Sequence, residues 1–146
     1  SIYLPDNLSE IYGSVFNGCK NLKNIKLPQN LTVIGENAFA GCFNLKIIHF
    51  PKGLRNIERT AFGAEMIEDE VVGGDVAISD IHYAGTMAEY LNEFEPVLNG
   101  VLSTWEIVYR HNGFTVHCQD GDIVRSREAE ENNISDFYVI DGKTIF

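Results

Sequence analysis

The sequence predicts a mainly β fold: a short solenoid closed at its C-terminal end by a helix and a small β-hairpin module. Three observations lead there. The first is a 23-residue period, which separates Leu4, Leu27 and Phe50, then Pro5, Pro28 and Pro51, then Phe16, Phe39 and Phe62. A fixed period of this length marks turns that cannot bury their apolar side alone and must stack on the next. The second is an apolar–polar–apolar triplet, repeated as Ile2-Tyr3-Leu4, Ile25-Lys26-Leu27 and Ile48-His49-Phe50. The third is a set of hairpin signals in the last third of the chain, His111-Asn112-Gly113, Gln119-Asp120-Gly121-Asp122 and Asp141-Gly142.

Each triplet is read as a short strand with its middle side chain outward. Proline at 5, 28 and 51 ends the strand, since it cannot donate to a ladder. Asn7, Asn30 or Gly53 then supplies a turn, as residues that tolerate left-handed backbone. The pairs Leu8/Ile11, Leu31/Ile34 and Leu54/Ile57 start the return, and Phe16, Phe39 and Phe62 supply the bulk of each layer. Leu22 and Leu45 complete the turn. Cys19 and Cys42 share one column, each after a Gly, and three cysteines are an odd number, so buried thiols are expected rather than a disulfide framework.

Composition limits the function. At 146 residues and 45% hydrophobic, the chain suits one domain or a solenoid with a companion module, and no apolar run is long enough for membrane insertion. Residues 1–63 carry seven Lys/Arg against four Asp/Glu, whereas residues 64–146 carry four against seventeen. An acidic half argues against nucleic acid as a partner, because phosphate binding needs clustered cations. The acidic residues are expected to solvate their half and keep the chain soluble; the sharper alternative is that the mildly basic repeats meet an anionic partner.

The segment Leu27 to Pro51 follows the pattern LPxxLxxIGxxAFxGCxxLxxIxxP almost position by position, and residues 1–63 as a whole resemble the BspA-like (Treponema pallidum type) leucine-rich repeat family. The third copy departs from it, with Glu65 and Glu68 in the columns of Cys42 and Leu45. The resemblance implies a curved right-handed leucine-rich repeat solenoid, frequent in bacterial surface or secreted proteins that bind other proteins. It brings no shared catalytic residues and no cofactor. Ile81-His82-Tyr83 repeats the strand triplet, but Tyr83 lies 33 residues after Phe50, so residues about 65–80 are read as an inserted loop or hairpin. Tyr83 to Tyr90 is similar to the YxGTxxEW segment that often ends such arrays, with Tyr90 in place of Trp. Thr86 is placed to cap a helix carrying Met87, Tyr90, Leu91 and Phe94 as far as Pro96. Strands are then expected at 105–109, 114–118, 123–124, 137–140 and 144–146, giving a solenoid over 1–83 and a cap or appended module over 84–146.

No nucleophile elbow, phosphate-cradling loop or metal-ligand spacing occurs among the histidines 49, 82, 111 and 117, and an enzyme is not expected. His117 and Cys118 are neighbours on a strand and face opposite ways, against a shared metal. The acceptor patterns at Asn7, Asn30 and Asn133 are better explained as structural asparagines, two of them at one repeat turn. The expected function is non-enzymatic binding of a protein ligand through an outward column of Tyr3, Lys26, His49 and His82, flanked by Lys23 and Lys46. The alternative is an assembly element whose repeats stack on other subunits or further repeats. Ser1 falls partway through a repeat, so the rung bearing Ile2, Leu4, Leu8 and Ile11 is expected to self-associate through its edge or to continue in a longer protein.

Overall fold

The computed structural model describes residues 2–63, 66–67, 70–71, 78–99, 113–125, 137–140 and 143–145. The repeats supply five short strands: β1 (Glu10–Ile11), β2 (Asn24–Lys26), β3 (Val33–Ile34), β4 (Ile47–Phe50) and β5 (Asn56–Ile57). They pair in parallel as two separate sets, β1-β3-β5 in one sheet and β2-β4 in another. The register follows the period, since Ile11 pairs with Ile34, Ile34 with Ile57, and Ile25 with Ile48. Each sheet thus places the same column of consecutive repeats side by side.

The core lies between the two sheets, and burial follows the columns. Ile25, Leu27, Leu31, Ile34, Leu45, Ile48 and Leu54 are buried there. Phe16, Phe39 and Phe62 form a stack with ring centroids 5.2 and 5.3 Å apart and nearly parallel planes. Side chains also tie one repeat to the next. Asn30 Nδ2 donates to Asp6 O at 2.9 Å, Asn44 Nδ2 to Lys20 O at 2.6 Å, and Cys42 Sγ to Phe16 O at 3.0 Å. The structural role expected of Asn30 is this bond; Asn133 lies outside the described residues. Gly35 is required by close approach, because a Cβ there would sit 2.9 Å from Gly13 N and 3.0 Å from Ile11 O.

Between β5 and the next rung, β6 (Met66–Ile67) and β7 (Glu70–Val71) pair antiparallel. β8 (Asp80–Tyr83) then joins the β4 edge in parallel, with Ile48 opposite Ile81 and Phe50 opposite Tyr83. Thr86 caps the helix that follows: its hydroxyl accepts from Glu89 N, and Glu89 accepts from Thr86 N in return. The helix runs as α1 (Met87–Glu89), a π-helical turn at Tyr90–Phe94 and α2 (Glu95–Asn99). Tyr90 and Phe94 are buried on Tyr83 and Phe50. The strands β9 (Phe114–Cys118), β10 (Gly121–Arg125), β11 (Phe137–Ile140) and β12 (Lys143–Ile145) complete a seven-stranded sheet in the order β12-β11-β10-β9-β8-β4-β2. β9 pairs with β8 in parallel, and the pairs β9–β10, β10–β11 and β11–β12 are antiparallel. Arg125 pairs with Glu95 where α2 meets this sheet, with both side chains largely buried.

Several expectations change. Ile2-Tyr3-Leu4 forms no strand: Ile2 and Tyr3 are exposed, so the triplet buries too little apolar surface to hold a ladder, and β2 is the edge of its sheet. The left-handed residues of the repeats are Ser14, Asn37, Gly18 and Gly41, with φ of 64°, 55°, 70° and 72°, rather than Asn7, Asn30 or Gly53. They let the chain turn just before the Phe and Cys columns. Pro96 does not end the helix. The wide turn from the Glu95 N–H to Tyr90 O comes just before the proline, where a regular turn would meet a clash and a missing donor. Cys42 is fully buried, but Cys19 is only half-buried, because the layer that covers Cys42 has no counterpart over Cys19 among the described residues. The strand expected at 105–109 lies outside the described residues.

Candidate functional site

Alternation along each strand sends Ile25, Ile48, Ile81, Val116 and Ile123 inward, all buried to within 1%. The neighbouring positions point outward and line up across five strands. Lys26 is paired with His49, His49 with His82, His82 with His117, and His117 with Asp122. Adjacent strands sit about 4.8 Å apart, which brings the imidazoles face to face. The His49 and His82 rings are 4.2 Å apart and 8° from parallel; His82 and His117 are 4.6 Å apart and 24° from parallel.

The two ends of this column differ. At one end, His117 Nε2 lies 2.9 Å from Asp80 Oδ1 and His117 Nδ1 lies 3.1 Å from Asp122 Oδ1. A carboxylate only accepts, so both ring nitrogens must donate, and the geometry calls for an imidazolium. Burial opposes the charge, but the two carboxylates outweigh it and raise the His117 pKa above the ordinary imidazole value. The hydrogen bond from His117 in turn holds the Asp80 carboxyl below its ordinary value, aided by Ser79 Oγ at 2.9 Å. At the other end, burial lowers the pKa of His49, and the charges of His82, Lys26 and His117 push in the same direction. The His49 and His82 ring nitrogens have no hydrogen-bond partner among the described residues.

The column forms one wall of an open groove of about 560 Å³, whose other wall is made by Leu27, Gln29, Pro51, Lys52, Ala84 and Gln119. Lys52 is anchored there by Glu89 at 2.7 Å, and Gln119 Nε2 donates to Ala84 O at 2.8 Å. Gly85 lies beneath this corner; a Cβ would fall 2.4 Å from Glu89 Oε2 and 2.7 Å from Tyr83 Cε1. Cys118 faces away from the column, half-buried, and burial with the nearby Asp120 and Asp122 carboxylates pushes its thiol up to about 12. A thiolate is therefore scarce at neutral pH.

Of the six residues singled out from sequence, the structure brings Lys26, His49 and His82 together on adjacent strands. Tyr3 is 84% exposed and outside the sheet, sharing a smaller hollow with Lys26, Asp6 and Gln29. Lys23 and Lys46 lie at the turns before β2 and β4, exposed, with Lys46 N bonded to Lys23 O and Lys46 Nζ 3.4 Å from Phe43 O. His117, Asp80 and Asp122 were missed. One signal was present: an apolar residue followed by His recurs at 48–49, 81–82 and 116–117. His111 lies outside the described residues. Among the described residues no group of three or more His, Cys, Asp or Glu converges on a metal position, and no helix is long and apolar enough to cross a membrane.

Parallel rungs in register, an inward aliphatic column and an outward polar one define a repeat-built interaction fold. A family model for the BspA type leucine-rich repeat region, six copies, matches residues 1–78, and the chain belongs to that family. Proteins of this kind are protein-interaction modules in general and are typically non-enzymatic. No curated protein and no solved structure matches the chain.

Proposed function

We propose that this chain is a binding module of a bacterial surface or secreted protein that engages a protein ligand across the outward face of β2, β4, β8 and β9. In this reading the repeats wind as a right-handed solenoid over residues 1–83, and residues 84–146 form its C-terminal cap. The observation that carries the proposal is the in-register column Lys26–His49–His82–His117, which lines a groove with side chains that packing does not require to be polar. Charge supports it. Lys23, Lys26 and Lys46 belong to this sheet and the turns before it, whereas Glu10, Glu36 and Glu58 lie in or just after the strands of the other sheet. Lys23, Lys46 and Tyr3 widen the contact surface at the first two repeats.

A photo-crosslinking residue at 26 or 82, compared with one at 33 or 56 on the opposite sheet, tests the assignment in the protein's own host. The expected result is one polypeptide captured from 26 and 82 only. Equal capture from both sheets contradicts it. A second reading, assembly with another copy, rests on a different observation: the exposed large apolar residues Ile2, Tyr3, Tyr12 and Val15 all lie within the first repeat. Sedimentation velocity separates the two, since assembly through that face makes the mass concentration-dependent and Tyr12→Lys with Val15→Lys abolishes the change.

A further inference from the structure

The outward column is uneven in a way that points to a class of ligand and a condition for taking it. His117 has both nitrogens engaged, one to Asp80 and one to Asp122, so that end already holds its counter-ions. Lys52 is likewise held by Glu89. Lys26, His49 and His82 have no carboxylate within ion-pair distance among the described residues. They stand in one line on β2, β4 and β8, and all three line the groove.

We propose that Lys26, His49 and His82 form a carboxylate-recognition site for an acidic peptide segment lying across the strands, filled when the two imidazoles take up protons together with the ligand. This rests on the reading of the same face as a protein-contact surface and names what that face selects.

The physical argument is one of coupled charge. A proton on His49 meets Lys26 on β2, His82 on β8 and the imidazolium of His117 on β9, all within one stacked row. Stacked rings 4.2 Å apart cannot both become cations cheaply without an anion between or above them. Asp80 reaches His82 only through space, its oxygens being bonded to His117 and Ser79, and Asp122 is bonded to His117; Asp6 shares a hollow with Lys26. Glu89 is bonded to Lys52 and to the Thr86 N–H. A ligand carboxylate over His49 and His82 removes the repulsion, so each favours the other's binding. Before ligand binds, the lowered pKa of His49 keeps that ring neutral, and Lys26 is the charge that meets an incoming carboxylate. In mild acid a bound carboxylate lets both rings hold protons, completing a row of three cations across β2, β4 and β8.

The test uses the full chain and a fluorescent hexa-aspartate peptide, with hexa-asparagine as the uncharged control, at constant ionic strength. Aspartate stays ionised at pH 5.5, well above its ordinary pKa of about 3.9, so only the protein titrates. Hexa-aspartate should bind about tenfold more tightly at pH 5.5 than at pH 7.5. His49→Gln with His82→Gln should reduce that ratio to below about twofold, and Lys26→Gln should weaken binding at both pH values while keeping the ratio. Imidazole NMR signals in the unmodified protein give an independent reading, since the His49 and His82 midpoints should rise on adding peptide. Absence of binding at pH 5.5, equal binding of hexa-asparagine, or an unchanged ratio in the double variant each overturns the proposal. If crosslinking from positions 26 and 82 still captures a polypeptide in that case, the contact surface stands and only its acidic, proton-coupled selectivity fails.

Discussion

The periodic half of the molecule and the half beyond it build the same sheet by different means. Between β2 and β4 the paired residues are 23 apart in sequence, and the register is a restatement of the repeat. Between β4 and β8 they are 33 apart, and between β8 and β9 they are 35 apart, yet Ile48, Ile81 and Val116 still stand side by side. The register is held by inward aliphatic residues, and the extra chain length is placed outside the ladder: the antiparallel pair β6–β7 in one case, the helix at 87–99 in the other. Loop closure costs grow only slowly with loop length, so a long excursion is tolerated where the next strand has an apolar residue to bury. A slip of one residue would turn that residue outward.

The largest expected effect lies in the periodic half. Phe39 is 0% exposed and stacked on a ring at each side, whereas Phe16, 8% exposed, has among the described residues a ring on one side only. Phe39→Ala should cost about 3–5 kcal/mol in urea unfolding, with Phe16→Ala lower by about 1–2 kcal/mol. Equal costs would show that the layers do not depend on their neighbours. Next in size is the comparison across halves. If the non-periodic rung is packed as firmly as the periodic one, Ile81→Ala and Ile48→Ala should each cost about 2–4 kcal/mol and agree within about 1. A much smaller loss at Ile81 would mean that β8 is only laid against the repeats.

Legibility divides along the same line. The columns of residues 1–63 were readable because each position occurs up to three times, so an accidental apolar residue is distinguished from a core one. Ile81-His82-Tyr83 was readable by its likeness to Ile48-His49-Phe50. β9 was recognised as a strand but not as the next rung, because nothing local distinguishes a strand that joins a parallel neighbour from one that pairs only with its own hairpin. The Asp80–His117–Asp122 contact depends on that pairing and was therefore hidden. The Tyr3 error has the opposite cause: the column was repeated, but the burial that holds a triplet in the ladder was not, since Ile2 is exposed where Ile25 and Ile48 are buried.

A smaller effect separates the halves by pH. His117 has a raised pKa in the fold, so its contribution is fully present below the ordinary imidazole pKa and is lost as pH rises through the raised value. Asp80 has a lowered pKa, so its contribution is present above the ordinary carboxylate pKa and is lost as pH falls through the lowered value. His49 works against His117, because its lowered pKa makes mild acid destabilising. The stability difference between the wild type and His117→Gln should accordingly be larger at pH 6 than at pH 9. A difference that does not change with pH would remove the imidazolium from the account.

Thiol labelling without denaturant gives the smallest test, one of access alone. Cys19 should react first, Cys118 slowly because its thiol is pushed up to about 12, and Cys42 only after unfolding. Early labelling of Cys42 would open the second layer to solvent and weaken the contrast with the first.

The central claim is that one outward ladder crosses both halves without a break. Nuclear Overhauser contacts between imidazole ring protons measure it directly in the full chain. The account predicts contacts of comparable strength for His49 with His82 and for His82 with His117, since their rings lie 4.2 and 4.6 Å apart. A strong contact for the first pair with none for the second would contradict it, ending the ladder at β8.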